Sequence, residues 1–167
     1  MGRVIVWTSV TVLFLSLATA TILANLLFLP VLPDLVLLVV VYVSFMNSSE
    51  TGCTTGFISG ILLDFLSASP IGLNACTKTI TGFIAGKLAG SFNLDRILIP
   101  FGMGVGATVI KALTTWILSF FFGPGILLYK LTGSVFWLEV LANGLCAPFI
   151  FAFLGFFPGL FIARSKG

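Results

Sequence analysis

Histidine is absent from the 167 residues. With it go the commonest general base and the commonest metal ligand. No nucleophile–base pair of the usual hydrolase kind can be written without it. Charge is scarce as well, at 8% of residues, where a soluble domain carries roughly 25%. Such a chain cannot cover a water-facing surface, so its solvent must be a bilayer. Eight Lys and Arg against five Asp and Glu leave +3, too little and too scattered to bind nucleic acid. Only three cysteines occur, Cys53, Cys76 and Cys146. They lack the paired spacing of a metal site, and an odd number argues against a disulfide framework. They read as small buried hydrophobes. No Walker-type phosphate loop is present. Gly102-Met103-Gly104-Val105-Gly106 lies within an apolar run and follows no strand. These absences exclude metal and nucleotide cofactors from the expected picture and argue against an enzyme.

Apolar runs fill the space that charge leaves: 59% of the chain is hydrophobic. A helix needs about 20 mostly apolar residues to cross a bilayer. The pattern predicts an all-α, polytopic membrane protein with six spans in a single domain over 1–167. The spans are expected at 4–29, 33–47, 52–67, 71–90, 97–122 and 134–162. The first begins like a secretory signal, with Arg3, an apolar run and Ala18-Thr19-Ala20. The apolar run continues to Leu29, so it reads as an uncleaved span. Pro30 and Pro33 then interrupt the helix. Pro33 suits the first turn of the next one, and Asp34 suits its positive dipole end. That second span is short, and tilt or local thinning would accommodate it. Asn47-Ser48-Ser49-Glu50-Thr51 and Phe92-Asn93-Leu94-Asp95-Arg96 read as polar loops. Gly123-Pro124-Gly125 ends span five, and the stretch to Gly133, with Tyr129 and Lys130, suits the interface. Pro148 and Pro158 are expected to kink the long sixth span. Trp7, Trp116, Tyr129 and Trp137 fall near predicted interfaces, as belt residues do.

Lys and Arg near span ends set orientation. With six spans, Arg3, Lys87, Arg96, Arg164 and Lys166 all fall on one side, which becomes cytoplasmic, as do both termini. Lys130 alone falls outside. With five spans this bias dissolves.

Residues 52–90 form a glycine-ruled hairpin. Gly52, Gly56 and Gly60 recur every fourth residue, and Asp64 lies on the same stripe. After the turn Ser67-Ala68-Ser69-Pro70-Ile71-Gly72-Leu73-Asn74, Gly82, Gly86 and Gly90 rule the second helix. Helices in lipid associate by close packing, so these faces are helix contacts, either within the hairpin or with a partner's helix. A charge within a span costs at least ~2.5–3.5 kcal/mol at the bilayer centre unless paired or hydrated. Counted away from the turn, Asp64 and Lys78 lie at similar depth, so an ion pair between them is expected. It would fix hairpin register, or serve as a proton or ligand site. Lys111, midway along span five, and Glu139, at the start of span six, differ in depth, although lysine snorkels. Asn143 is placed to bond across helices.

At these residues the chain resembles a known family. Pro33-Asp34 opens a Leu/Val-rich span; Gly56, Gly60 and Asp64 follow at four-residue spacing; Pro70, Gly72 and Asn74 mark the turn; Gly82 and Gly86 rule the next helix. Order and spacing together resemble the rod shape-determining protein MreD family over roughly residues 30–90, with length and span count agreeing elsewhere. Lys78 departs from it, since apolar residues are usual at that place. The resemblance implies a non-enzymatic scaffold of the bacterial cell-elongation complex in the inner membrane. Its implied partners are MreC, cytoplasmic MreB filaments, and RodA with its penicillin-binding transpeptidase. It also implies an architecture like the substrate-binding subunits of energy-coupling-factor vitamin transporters. Such a subunit is the second reading, with Ala20-x-x-x-Ala24 as its partner-facing stripe. That reading requires a cofactor-sized pocket lined by several polar side chains, and the outer loops offer few.

Overall fold

A computed structural model describes residues 2–25, 31–67, 69–91, 97–122 and 133–163. The described residues form seven helices: α1 Gly2–Asn25, α2 Leu35–Met46, α3 Ser49–Leu66, α4 Leu73–Lys87, α5 Leu98–Phe122, α6 Ser134–Gly155 and α7 Pro158–Phe161. Of these, α1, α5 and α6 are long and apolar enough to cross a membrane.

The shortest long-range organiser is α2. At twelve residues it rises about 18 Å, well under the ~30 Å of a hydrocarbon core. Val36 through Phe45 are buried without interruption. A helix apolar on every side belongs at the centre of a bundle, and α2 packs against α1, α3, α4, α5 and α6. Tyr42 meets Phe151 of α6 edge-on, with centroids 5.2 Å apart.

The glycine stripes of α3 and α4 face each other. A Cβ on Gly52 would strike the Gly82 carbonyl, one on Gly56 the Lys78 backbone, one on Gly60 the backbone of Asn74 and Ala75, and one on Gly86 the backbone of Ser49. The two helices approach backbone to backbone, so these stripes are spent inside the hairpin. α2 lies across the seam, with Ser44 Oγ against Gly52 and Val40 against Gly82.

Several boundaries differ from expectation. Residues 49–51 are the first turn of α3 rather than loop, because Ser48 accepts a hydrogen bond from the Thr51 amide at 3.4 Å and caps the helix. The expected sixth span divides: α6 carries Pro148 in its interior and ends at Gly155, and Pro158 opens α7 at a position where proline costs nothing. α1 is described to Asn25; the expected continuation to Leu29, the loop 92–96, the segment 123–132, Tyr129, Lys130, Arg164 and Lys166 lie outside the described residues. The three cysteines are free and partly exposed, not fully buried. Trp7, Trp116 and Trp137 point outward from the bundle, as do Phe120 and Phe121.

Asn47 ties the end of α2 to the C-terminal segment. Its side-chain amide donates to the Phe161 carbonyl at 2.8 Å and accepts from the Ala163 amide at 2.6 Å. This two-point clasp matches the donor–acceptor pair of the peptide backbone.

Candidate functional site

The site grows from the N-terminus of α2. Pro33 restricts the chain there, and Asp34 caps the helix by accepting the Leu37 amide on Oδ1 at 3.0 Å. The Asp34 amide donates to Asn143 Oδ1 of α6 at 2.7 Å. Asn143 in turn donates to Thr108 Oγ1 of α5 at 2.9 Å. Gly104 permits this approach, since a Cβ there would press on the Asn143 carbonyl and Ala147.

One oxygen of Asp34 is left for charge. Its Oδ2 takes Lys78 Nζ of α4 at 3.2 Å and Lys111 Nζ of α5 at 2.8 Å. Lys111 also reaches Glu139 Oε1 of α6 at 2.8 Å. The result is a continuous chain, Lys78–Asp34–Lys111–Glu139, drawn from four helices and neutral in sum. Neutral pairing is what a low-dielectric interior demands of ionised groups. Lys78 is 1% exposed and Glu139 3%. The side chains of Lys111 and Asp34 are more open.

These groups floor a recess of about 440 Å³. Ser16 and Thr19 of α1, Ser67 and Asn74 of the hairpin turn, and Val36, Leu63 and Val135 complete its wall. Its polar groups sit on helices or at helix ends, which is why a loop-by-loop reading of the sequence finds few. No cluster of three or more metal-ligating side chains occurs among the described residues.

The expected Asp64–Lys78 pair is corrected. Gly56 lies against the Lys78 backbone, so Asp64 stands eight residues further along α3, roughly 12 Å in helix rise. Asp64 instead closes the hairpin turn. It accepts the amides of Gly72 at 2.8 Å, Asn74 at 2.9 Å and Ala75 at 3.2 Å, and Asn74 Nδ2 at 3.0 Å. These are the orphan donors at the start of α4, where a carboxylate also meets the positive end of the helix dipole. Gly72 sits at φ +98, the left-handed region open to glycine, and Pro70 supplies the carbonyl for the Leu73 amide. Of the residues on which the resemblance was read, Asp34 therefore joins the charge network with Pro33 beside it. Asp64, Pro70, Gly72 and Asn74 build the turn, and Gly56, Gly60, Gly82 and Gly86 build the seam. Lys111, Glu139 and Thr108 complete the network, and the bare sequence pointed to the first two only as an ill-matched pair. The signal that could have found them is that each is an ionised side chain inside an apolar span.

Chemically, the arrangement ties every acid to a base. It can hold helices in register and offer an adjacent positive and negative group to whatever enters the recess. No curated protein and no solved structure matches the chain in sequence, and the vitamin-transporter reading gains no support. The family model described as rod shape-determining protein MreD matches residues 1–157. With a match over nearly the whole length, on apolar helices fit to cross a membrane, the chain belongs to the MreD family of rod shape-determining proteins.

Proposed function

We propose that the protein is a non-enzymatic scaffold of the bacterial elongation complex, joining MreC to the peptidoglycan-synthesis machinery and so regulating cell shape. MreC is the principal partner in this reading. MreB filaments and RodA with its penicillin-binding transpeptidase are further ones. The family supplies the role in rod shape. The observation that carries the scaffold reading is the closed charge network. Lys78, Asp34, Lys111 and Glu139 bind one another across four helices, which makes them a brace rather than a set of acids and bases poised for substrate.

The same reading makes the chain a single domain with six crossings in the inner membrane and both termini cytoplasmic. Arg3, Lys87, Arg96, Arg164 and Lys166 then share one side. An architecture like that of vitamin-transporter binding subunits goes with it. In this orientation the recess above the charge network opens on the outer side, where MreC extends.

Depletion tests the proposal. Rod-shaped cells should round as the protein is lost, and the tagged protein should co-purify with MreC from gently solubilised membranes. Unchanged cell shape after complete loss rejects the role in elongation. Rounding without any association with MreC rejects the proposed linkage.

A further inference from the structure

Lys78 has hydrogen bonds left to make. A lysine ammonium carries three donors. Among the described residues Lys78 spends one of them, on Asp34 Oδ2 at 3.2 Å, an oxygen that Lys111 also holds. Lys78 is 1% exposed, so bulk water does not serve the others. Donors left unmet on a buried ion are costly. Lys78 and Asp34 both border the recess of about 440 Å³, a volume within the roughly 300–1,000 Å³ of small-molecule sites. The spare donors of Lys78 therefore fall to whatever fills the recess beside it.

The wall is of the opposite kind. Ser16 Oγ donates to the Leu13 carbonyl at 2.9 Å, and Thr19 Oγ1 to the Leu15 carbonyl at 2.7 Å. Both protons are spent within α1, so these hydroxyls meet the recess as lone pairs. Asn74 commits its amide hydrogens to Asp64 Oδ1 at 3.0 Å and to Ser69 Oγ at 2.9 Å, which leaves Oδ1 as an acceptor. A matching guest accepts at Lys78 and donates to the wall.

Charge narrows the guest further. Lys78, Asp34, Lys111 and Glu139 sum to zero. A net anion would bring an unmatched charge into a low-dielectric site, and its oxygens would face the lone pairs of the wall. An acyl chain has nothing for Lys78. A polyol both accepts and donates, but it makes no use of the hydrocarbon of Val36, Leu63 and Val135. A peptide unit carries an acceptor and a donor side by side without charge, and its side chains suit the apolar part of the wall. We propose that the recess binds an uncharged, extended peptide segment, with one backbone carbonyl on Lys78 Nζ and backbone N–H groups on the oxygens of Ser16, Thr19 and Asn74. The guest takes the donors that the brace leaves over, so the Lys78–Asp34 contact stays made. The assignment stands on the recess alone and does not require the scaffold role.

The test uses the full chain purified in detergent and N-acetyl-trialanine methylamide, a blocked and uncharged tripeptide, as the probe. Saturation-transfer NMR compares it with sodium phosphate and with sorbitol. The wild type should bind the tripeptide in the millimolar range and prefer it to both others. Lys78→Met should weaken the tripeptide roughly tenfold or more, the loss expected of one hydrogen bond to an ammonium. Thr19→Val leaves the brace whole and should weaken it about threefold, the loss expected of a neutral hydrogen bond. Native mass spectra of the protein extracted from membranes separate two sources of such a segment: a free peptide adds a small mass, and a partner polypeptide is released by excess tripeptide. No tripeptide binding in the millimolar range would overturn the proposal. So would phosphate or sorbitol binding as tightly as the tripeptide, or undiminished tripeptide binding in folded Thr19→Val and Lys78→Met.

Discussion

Lys78 Nζ lies 3.2 Å from Asp34 Oδ2, although the two residues are 44 positions apart in the chain. The contact joins the second helix of the glycine hairpin to the start of the central helix. It also gives Asp34 two cations, since Lys111 shares the same oxygen. The network is therefore asymmetric: removing Asp34 takes the carboxylate from Lys78 and leaves Lys111 only Glu139 of its two acids, whereas removing Lys78 leaves Asp34 paired with Lys111.

Asp34→Ala should destabilise the protein by roughly 3–5 kcal/mol, the usual cost of leaving a buried ion without its partner. Lys78→Met should cost well under half of that, because Asp34 keeps Lys111 and the methionine fills a buried position. Thermal midpoints of the two purified variants in one detergent check the ranking. Equal losses would show that Asp34 is not the hub.

Asp64 makes its hydrogen bonds in the hairpin turn and not in this network. Asp64→Ala leaves the Gly72, Asn74 and Ala75 amides without their acceptor. A lost cap costs about 0.5–2 kcal/mol, and each buried amide left unpaired adds ~1–3 kcal/mol. The turn at 67–72 should then become the preferred site of limited proteolysis. A double-mutant cycle between Asp64→Asn and Lys78→Met should give a coupling below about 0.5 kcal/mol, as for sites without a shared partner. A coupling above 1 kcal/mol would restore the pair expected from sequence.

The two classes of glycine should part company. Gly56→Ala places a methyl into the Lys78 backbone, and overpacking of this kind costs about 1–3 kcal/mol or more. Gly102→Ala meets empty space and should gain about 0.5–1 kcal/mol from helix propensity. Opposite shifts in thermal midpoint are expected; shifts of the same sign would refute the proposed α3–α4 seam.

Asn47→Leu should release the C-terminal segment while sparing the bundle. It removes the two hydrogen bonds that reach that segment, to Phe161 and from Ala163, together with the one to the Val43 carbonyl within α2, each worth ~0.5–1.5 kcal/mol. A cysteine introduced at Ile162 should be labelled faster by a water-soluble maleimide in this background than in the wild type. Unchanged labelling would mean that α7 is held by its apolar contacts alone.

Local chemistry made the hairpin legible before any coordinates. Glycines every fourth residue announce a helix face, and Pro33-Asp34 announces a helix start. The direction in which those stripes turn was not legible, since the same spacing serves a partner as well as a neighbour. The charge network was hidden for a related reason. Asp34 and Asn143 stand 109 positions apart, and nothing in either local pattern sets the rotation that brings them together. Depth counting misplaced Lys78 because it assumed a symmetric turn. The turn is asymmetric: Asp64 reaches forward over it to Ala75. The charge of Lys111 and Glu139 was visible, but their apparent mismatch in depth dissolves once α5 and α6 pack side by side.

The brevity of α2 has a mechanical consequence. A central rod of about 18 Å leaves nearly half of a ~30 Å oil layer without a plug along the axis of the bundle. Its Asp34 end opens into that unfilled well. Surrounding helices form the sides, so the charged floor lies beneath walls that mix apolar side chains with hydroxyl and amide groups. Lengthening the rod by one turn would raise the floor by ~5 Å and stopper the well, without touching any residue that lines the outer surface.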